Sequence, residues 1–342
     1  MNKSTQSYKI IIGCAISFVI VLLCMSLGSV SVPVKEGLSI VFHKITGTVI
    51  PETIDKSLVS ILWEIRMPRT FTAFFVGAAL SLSGVVMQSI LQNPLASSYT
   101  MGVSAGASLG AAIVIVMGVS STVLGIFTLP VVGFAAGFLT VLFVIGVSSR
   151  IDHNMQNHTI ILFGMVFSLF VNAMLTIITS LASEHVQRLV FWQMGSFSGR
   201  RWIHSFIVAV CVLIGIVLLM FLHRELDIMT FGDEQAMSIG VDTRKSKIRL
   251  LIIASFLTGA AVCFSGIIGF VDLTVPHIVR RIFGSRHRYV LPMSMILGGA
   301  FMALADMISR TILAPREIPV GAVTALVGAP FFLWVYFHDT KK

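Results

Sequence analysis

The chain has 342 residues, of which 56% are hydrophobic and only 11% are charged. Soluble domains carry about 25% charged residues, so this balance excludes a water-soluble globular protein and indicates a chain that crosses a membrane many times. The net charge of +9 at pH 7 fits basic loops held at anionic lipid and the positive-inside bias better than it fits nucleic acid.

Apolar runs able to cross a bilayer lie at 10–30, 70–91, 101–118, 122–147, 159–182, 203–222, 248–268, 270–283, 291–311 and 319–337. The eighth is short and ends in charge, which predicts a partial span. The expected fold is therefore all-α, a polytopic membrane protein of about ten transmembrane helices packed as one domain, 1–342. Its first half is 1–222, a polar loop fills 223–249, and the second half is 250–342. Lys3 and Lys9 precede the first apolar run as in a signal peptide, but so many spans follow that a retained helix is expected. With the N-terminus inside, the clusters Arg244, Lys245, Lys247, Arg249 and Arg280, Arg281, Arg286, Arg288 also fall inside, a modest positive-inside bias. Cys14, Cys24, Cys211 and Cys263 lie within apolar spans at no metal-ligand spacing and are expected only to pack.

Arg66 and Arg69 in WEIRMPR stand at the outer end of the second span, and Arg310 in ADMISR at the outer end of the ninth. Arginine on the translocated side works against insertion bias, and its fork geometry suits bidentate carboxylate pairing. An external docking surface for an acidic partner is one reading. Snorkelling or local pairing, for instance Asp306 with Arg310 at i,i+4, is the other.

In the third span Gly102, Gly106 and Gly110 recur every four residues, a ridge that admits another helix backbone. Gly321, Thr324 and Gly328 give the tenth span a similar face. Gly102-Val103-Ser104-Ala105-Gly106 also matches G-x-S-x-G, but that motif needs a strand-to-helix turn with His and acid partners, so packing explains it better. The fifth span carries Ser168, Asn172, Thr176 and Ser180 at i,i+4 spacing, a polar stripe that should face a cavity or bond to another helix.

The longest charged interruption is HRELDIMTFGDEQAMSIGVDTRKSKIR, 223–249. Within it Gly232, Asp233 and Glu234 open a short helix with apolar positions Phe231, Ala236, Met237 and Ile239, and Gly240 supplies the stop. So short a helix needs a partner surface. The loop reads either as the place where another protein grips this domain or as an ordinary solvated connection.

Gly77-Ala78-Ala79 with Ser83-Gly84 recurs as Gly259-Ala260-Ala261 with Ser265-Gly266, 182 residues later, and at that offset Pro94 meets Pro276 and Gly102 meets Gly284. The second and seventh spans are separated by an odd number of crossings. The halves are thus expected to form an inverted-topology repeat, helices 2–5 against 7–10. His277 has no second His at ligand spacing and reads as structural or interfacial. No G-x-x-x-x-G-K-[ST] occurs, so if ATP drives this protein the nucleotide sits on another polypeptide.

Long motifs then carry a resemblance over nearly the whole chain. RMPRTFTAFFVGAALSLSGVVMQSILQNPLASSYTMGVSAGASLG at 66–110 resembles the iron-chelate and vitamin B12 permeases of bacterial ABC importers, the FecCD transport family. So do FWQMGSFSGRRW at 191–202, FGDEQAMSIGV at 231–241, GIIGFVDLTVPHIVR at 266–280 and LADMISRTILAPREIPVGAVTALVGAPFF at 304–332. The resemblance implies a non-enzymatic type II importer permease of the bacterial cytoplasmic membrane. It implies a homodimer, or a pair with a close paralogue, with the pathway between copies. It implies two cytoplasmic ATPases that hold ATP and Mg, an extracytoplasmic substrate-binding protein, and no cofactor on this chain.

Carried onto residues, the resemblance implies that Arg66, Arg69 and Arg310 dock the binding protein. It implies that Phe231 to Val241, including Gly232, Asp233, Glu234, Ala236, Met237, Ile239 and Gly240, couple to the ATPase. The fifth span, with Asn172 and Thr176, would line the pathway, and the tenth would join it. The cargo expected is a ferric siderophore, with cobalamin or haem as the alternative. Asp272 departs from the family's small residue, and an acid at membrane depth needs a partner such as Arg280 or Arg281, or a wet cavity. It would suit the rival reading, an ion-coupled secondary transporter. An intramembrane hydrolase would rest on Ser104 alone.

Overall fold

The computed structural model describes residues 3–28, 30, 32–51, 54–118 and 124–339, and within them the regular elements are helices. The predicted start of the fourth span at 122 lies outside the described residues. In chain order the main elements are α1 (Lys3–Ser26), α2 (Val34–Thr46), α3 (Lys56–Ser60), a π-helical turn (Ile61–Arg66), α4 (Met67–Ile90), a 3-10 turn (Ser98–Met101), α5 (Val103–Val116), α6 (Thr128–Ile151) and α7 (Asn157–Leu181). They continue as α8 (Val186–Gln193), α9 (Trp202–Phe221), α10 (His223–Met229), α11 (Asp233–Ser238), α12 (Thr243–Ser265), α13 (Val271–Phe283), α14 (His287–Thr311) and α15 (Val320–Asp339).

Among the described residues seven helical stretches are long and apolar enough to cross a bilayer, and α5, α13 and α15 complete the expected ten. With 13 residues, α13 rises only about 20 Å against a hydrocarbon core of about 30 Å, as its charged end foretold. The second crossing begins earlier than its hydropathy indicates. α3, the π turn and α4 form one helix of 35 residues, Lys56–Ile90, which carries Arg66 on its outer extension.

The inverted repeat is visible in the packing. α4 to α7 correspond to α12 to α15, and the contacts come in matched pairs: α4 packs on α14 as α12 packs on α6, and α5 on α6 as α13 on α14. α4 and α12 cross at the centre, where Ser83 Oγ donates to the carbonyl of Ala254 at 3.0 Å and Thr258 Oγ1 donates to Ser83 Oγ at 2.7 Å. The small residues earn their places through backbone approach. A Cβ on Gly77 would collide with the carbonyl of Gly298 in α14, and one on Gly298 would sit 2.7 Å from the carbonyl oxygen of Gly77. Gly259, the repeat partner of Gly77, instead faces the ring of Phe134 in α6 at 3.1 Å.

The constant offset of 182 does not survive past Gly266. α12 stops at Ser265, because Gly266 (φ +75°) turns against the backbone of Trp192, whereas α4 runs on to Ile90. Pro94 therefore lies in a loop while Pro276 lies inside α13, and Gly102 opens α5 while Gly284 closes α13. These two pairings are coincidences of composition, and the repeat rests on helix order and packing.

The glycine ridge of α5 packs on α6: a Cβ on Gly106 would lie 2.8 Å from the carbonyl oxygen of Ala136, and one on Gly110 2.7 Å from the Ala136 side chain. Ser104 belongs to the first turn of α5, within that helical packing. Burial separates spine from rim. In the most apolar window of the α4 stretch 83% is buried, against 22% for α7, so α7 offers most of its surface to something outside the chain. One end of the bundle carries α10 and α11, and the other carries Arg66, Arg69 and Arg310; they are called the arm end and the arginine end below.

Candidate functional site

The polar loop folds into an arm of two short helices. Leu226 and Met229 of α10 and Ala236 of α11 are buried, whereas Phe231, Met237 and Ile239 are 70%, 51% and 66% exposed. Of the four apolar positions expected on the short helix, only Ala236 turns inward. Asp233 and Glu234 occupy the first turn of α11, as expected. Gly240 (φ +94°) closes that helix: Val241 N–H donates to Ala236 and Gly240 N–H to Met237, a left-handed stop that suits glycine. The arm thus presents an apolar tip on a helix too short to stand unaided.

Buried charge roots it. Lys247 of α12 is completely buried, and its Nζ lies 2.5 Å from the Asp233 carboxylate and 2.9 Å from the carbonyl of Met155, in the turn between α6 and α7. Glu225 accepts from Ser246 and from Arg249 at 3.2 Å. Asp227 accepts from the backbone N–H of His287 at 2.8 Å and pairs with its Nδ1 at 2.7 Å. Burial by itself would raise the Asp227 carboxyl, but these hydrogen bonds and the nearby His charge outweigh it and hold the group below the usual carboxylate range.

From His287 the hydrogen bonds continue inward. Its Nε2 is 2.7 Å from Ser89 Oγ of α4, which also accepts from Arg280 at 3.2 Å. Arg280 donates to the Gln88 side-chain oxygen, and Gln88 Nε2 donates to the carbonyls of Asp272 and Leu273 at 3.2 Å. The Asp272 carboxylate takes neither Arg280 nor Arg281 as its ion-pair partner among the described contacts; it accepts from Ser97 Oγ, just before the 3-10 turn. That turn abuts α7, because a Cβ on Gly164 would sit 2.5 Å from the carbonyl oxygen of Thr100. The signal for this network was the run of polar residues Gln88, Ser89, Gln92 at the end of an apolar helix; their partners, remote in sequence, were not legible.

On α7, Ser168 donates to the carbonyl of Gly164 at 2.6 Å and Thr176 to that of Asn172 at 2.9 Å. Asn172, Thr176 and Ser180 are exposed on the chain's rim. The stripe is therefore not spent on bonds to other helices of this chain, and it stands among exposed Leu169, Phe170 and Ile177. α15 packs on α13 and α14 and approaches the turn after α8, where a Cβ on Gly321 would lie 2.9 Å from the carbonyl oxygen of Met194.

At the other end the three arginines are not presented outward. Arg66, Arg69 and Arg310 are 4%, 6% and 8% exposed. Arg69 is doubly paired within the chain, with Asp306 at 2.8 Å and Glu317 at 2.6 Å. Arg66 donates to the carbonyls of Met25, Ser26 and Val30, closing the end of α1. Arg310 donates to the carbonyl of Cys24, and its i,i+4 approach to Asp306 is the longer one at 3.6 Å. The three arginines, expected at an outer docking surface, form a buried clamp joining α1, α4 and α14 within this chain. The remote partner of Arg69, Glu317, is one that no local spacing reveals. Among the described residues no group of three or more His, Cys, Asp or Glu is placed to hold a metal ion.

Comparison with known proteins gives the same architecture. Residues 16–338 match the FecCD transport family. The chain is 40% identical over 331 residues to the uncharacterized ABC transporter permease protein YvrB of Bacillus subtilis, covering 97% of this chain and 94% of that one. It is 34% identical over 324 residues to the hemin transport system permease protein HmuU of Yersinia pestis, covering 94% and 95%. Among solved structures, a metal-chelate type ABC transporter in an inward-facing conformation superposes with a TM-score of 0.82 at 29% identity, covering 96% of this chain and 99% of that one.

Proposed function

The chain belongs to the FecCD transport family, and from that premise we propose that it carries a ferric siderophore through a pathway between two copies of itself, driven by ATPases docked on its arm. At the coarser level it is the multi-pass membrane permease of a type II ABC importer for iron chelates, haem or cobalamin, and its relatives are permeases rather than enzymes. The observation that carries the coupling part of this reading is the arm, and the iron cargo is supported by relatives named for iron chelatin and iron(III) citrate transport. The arm's exposed Phe231, Met237 and Ile239 form an apolar tip, while Lys247 and His287 fix its base to both halves of the bundle. A short helix with an apolar face fits a groove on a partner, and a buried base lets force applied there reach the bundle.

In this mechanism ATP and Mg sit on two cytoplasmic ATPases, and this chain holds no cofactor. Closure of the ATPases draws on residues 231–241. The base passes the displacement to α12 through Lys247 and to α14 and α4 through His287, and the two inverted halves rock. α7, with Asn172, Thr176 and Ser180, lines the route together with its copy, and α15 borders it. An extracytoplasmic binding protein delivers the cargo at the arginine end. The buried arginines hold the shape of that surface, and direct contact falls to exposed charges beside them such as Arg201 and Arg316.

The test is reconstitution of the permease with its ATPase and binding protein in vesicles, followed by ATP-dependent uptake of a radioactive ferric siderophore, haem or cobalamin. Uptake of the siderophore alone supports the reading; uptake of haem or cobalamin alone reassigns the cargo within the class. Uptake without any ATPase overturns the mechanism.

A further inference from the structure

An apolar cavity of about 500 Å³ opens between α1, α2 and α4 at the arginine end, apart from the arm and from α7, and the transport reading gives it no role. It is lined by Phe18 and Leu22 of α1, Leu38 and Val41 of α2, and Phe71 and Phe74 of α4. Along α1 its lining runs from Cys14 to Ser26, a rise of about 18 Å. One leaflet of a bilayer is about 15 Å deep, half of a core of about 30 Å. The groove is therefore as long as one leaflet and open to it, with walls that offer an occupant almost nothing polar.

Beyond Ile45 and Leu62 of the groove the character changes, and the next pocket is polar, lined by His43, Lys44, Lys56 and Ser60. α2 is amphipathic, with Val34, Leu38, Phe42 and Ile45 all exposed along one side and Lys35, His43 and Lys44 elsewhere. Lys44 Nζ stands 6.0 Å from the centre of the Trp63 ring, and Trp63 packs against Trp202 at 5.2 Å. Tryptophan beside lysine above an apolar slot is the arrangement of a membrane interface, where the aromatic body sits at headgroup level and the ammonium meets phosphate. A helix with such a face lies in the interface plane.

We infer that this groove is a binding site for one phospholipid of anionic headgroup, its acyl chain seated between α1 and α4 beneath α2 and its phosphate held at Lys44. The site lies beyond the transport reading and does not depend on it. Gly37 lines the groove, and a Cβ there would meet nothing closer than Leu62 at 3.7 Å, so the position tolerates a methyl but a longer side chain would fill the slot.

The test is native mass spectrometry of the full-length permease purified in mild detergent. One phosphatidylglycerol per chain is expected to remain on the wild type and to be lost in Gly37→Leu and Val41→Trp. It should stay in the control Ile207→Trp, which fills a separate apolar cavity between α6, α9 and α12. Lys44→Glu should exchange the retained lipid for a zwitterionic one. Because groove-filling variants can misfold, a second arm uses the wild type after delipidation: phosphatidylglycerol with a brominated acyl chain should quench tryptophan emission, and the double change Trp63→Phe with Trp202→Phe, which removes the adjacent ring as well, should abolish the part of the quenching that saturates at one lipid per chain. No retained lipid on the wild type, lipid retained equally in both groove-filling variants, a dimer with the groove closed by a second copy, or no quenching of the delipidated protein overturns the assignment.

Discussion

Lys247 and Asp233 stand 14 positions apart in the chain, yet their ammonium and carboxylate lie 2.5 Å from one another with the lysine wholly out of contact with solvent. The same ammonium reaches the carbonyl of Met155 at 2.9 Å. One buried charge thus holds α11, α12 and the α6–α7 turn at a single point, and removing it should separate force generation from transport. Removing one partner of a fully buried pair costs about 3–5 kcal/mol; Asp233 keeps 26% of its side chain exposed, so the lower end is expected. Lys247→Met should lower the melting temperature and reduce uptake by about 5- to 150-fold, the usual span of a coupling energy. ATP hydrolysis by the assembled complex should persist. Uptake falling only in proportion to lost protein would assign Lys247 to folding alone.

The arm tip should behave in the opposite way. Phe231 and Met237 are largely exposed, so Phe231→Asp and Met237→Asp should leave the melting temperature of the isolated permease within about 1 °C of the wild type, as surface changes do. Binding of the ATPase should weaken by at least about 2 kcal/mol, the threshold of an interface hot spot. Measured affinity of the ATPase for detergent-solubilised permease decides this, and unchanged affinity removes the tip from the interface.

At the arginine end the clamp and the surface come apart under mutation. Arg69→Ala leaves Asp306, which is 0% exposed, with only the longer 3.6 Å approach of Arg310, and should destabilise the permease by about 3 kcal/mol, the lower end for a broken buried pair. Arg316→Glu, on the exposed rim, should leave thermal stability unchanged while weakening association with the binding protein. A thermally normal Arg69→Ala with weakened docking would return the buried arginines to a contact role.

The Asp227–His287 pair sets a pH limit on the arm. Asp227 titrates below its ordinary value of 3.8 because hydrogen bonds from His287 outweigh the opposing effect of burial. A carboxyl lowered on folding contributes stability that is complete above the unfolded value, near pH 4, and is lost as pH falls through the folded one. Hydrogen exchange across 223–249 should therefore stay slow down to about pH 4. In His287→Ala the side-chain hydrogen bond is lost while the backbone N–H at 287 remains, so burial is less fully opposed and protection should fail at a higher pH. Identical profiles would show that the pair contributes nothing to arm stability.

The helices, their order and the inverted repeat were legible because hydropathy and small-residue spacing act locally. The arm was legible for the same reason: charge and glycine mark its ends. The polar stripe of α7 was legible only as a pattern, and its exposed position at the rim depends on which helix the bundle leaves outside. What failed were pairings across long separations. Nothing near Arg69 announces Glu317, and nothing near Asp233 announces Lys247 as its buried partner, because both are set by how α4, α12 and α14 stack. Pro94 with Pro276 failed differently: equal spacing means equal position only while both helices have equal length, and α12 ends early.

The two symmetry-matched seams, α4 on α14 and α12 on α6, are of unequal hardness. Where α4 meets α14, backbone rests on backbone at Gly77 and Gly298; where α12 meets α6, a phenyl ring of Phe134 lies between. A rocking movement therefore has a fulcrum on the first seam and play on the second, despite the symmetry of the plan. Cysteine pairs placed across α4 and α14 should crosslink with equal yield with and without nucleotide, whereas pairs across α6 and α12 should change yield on turnover.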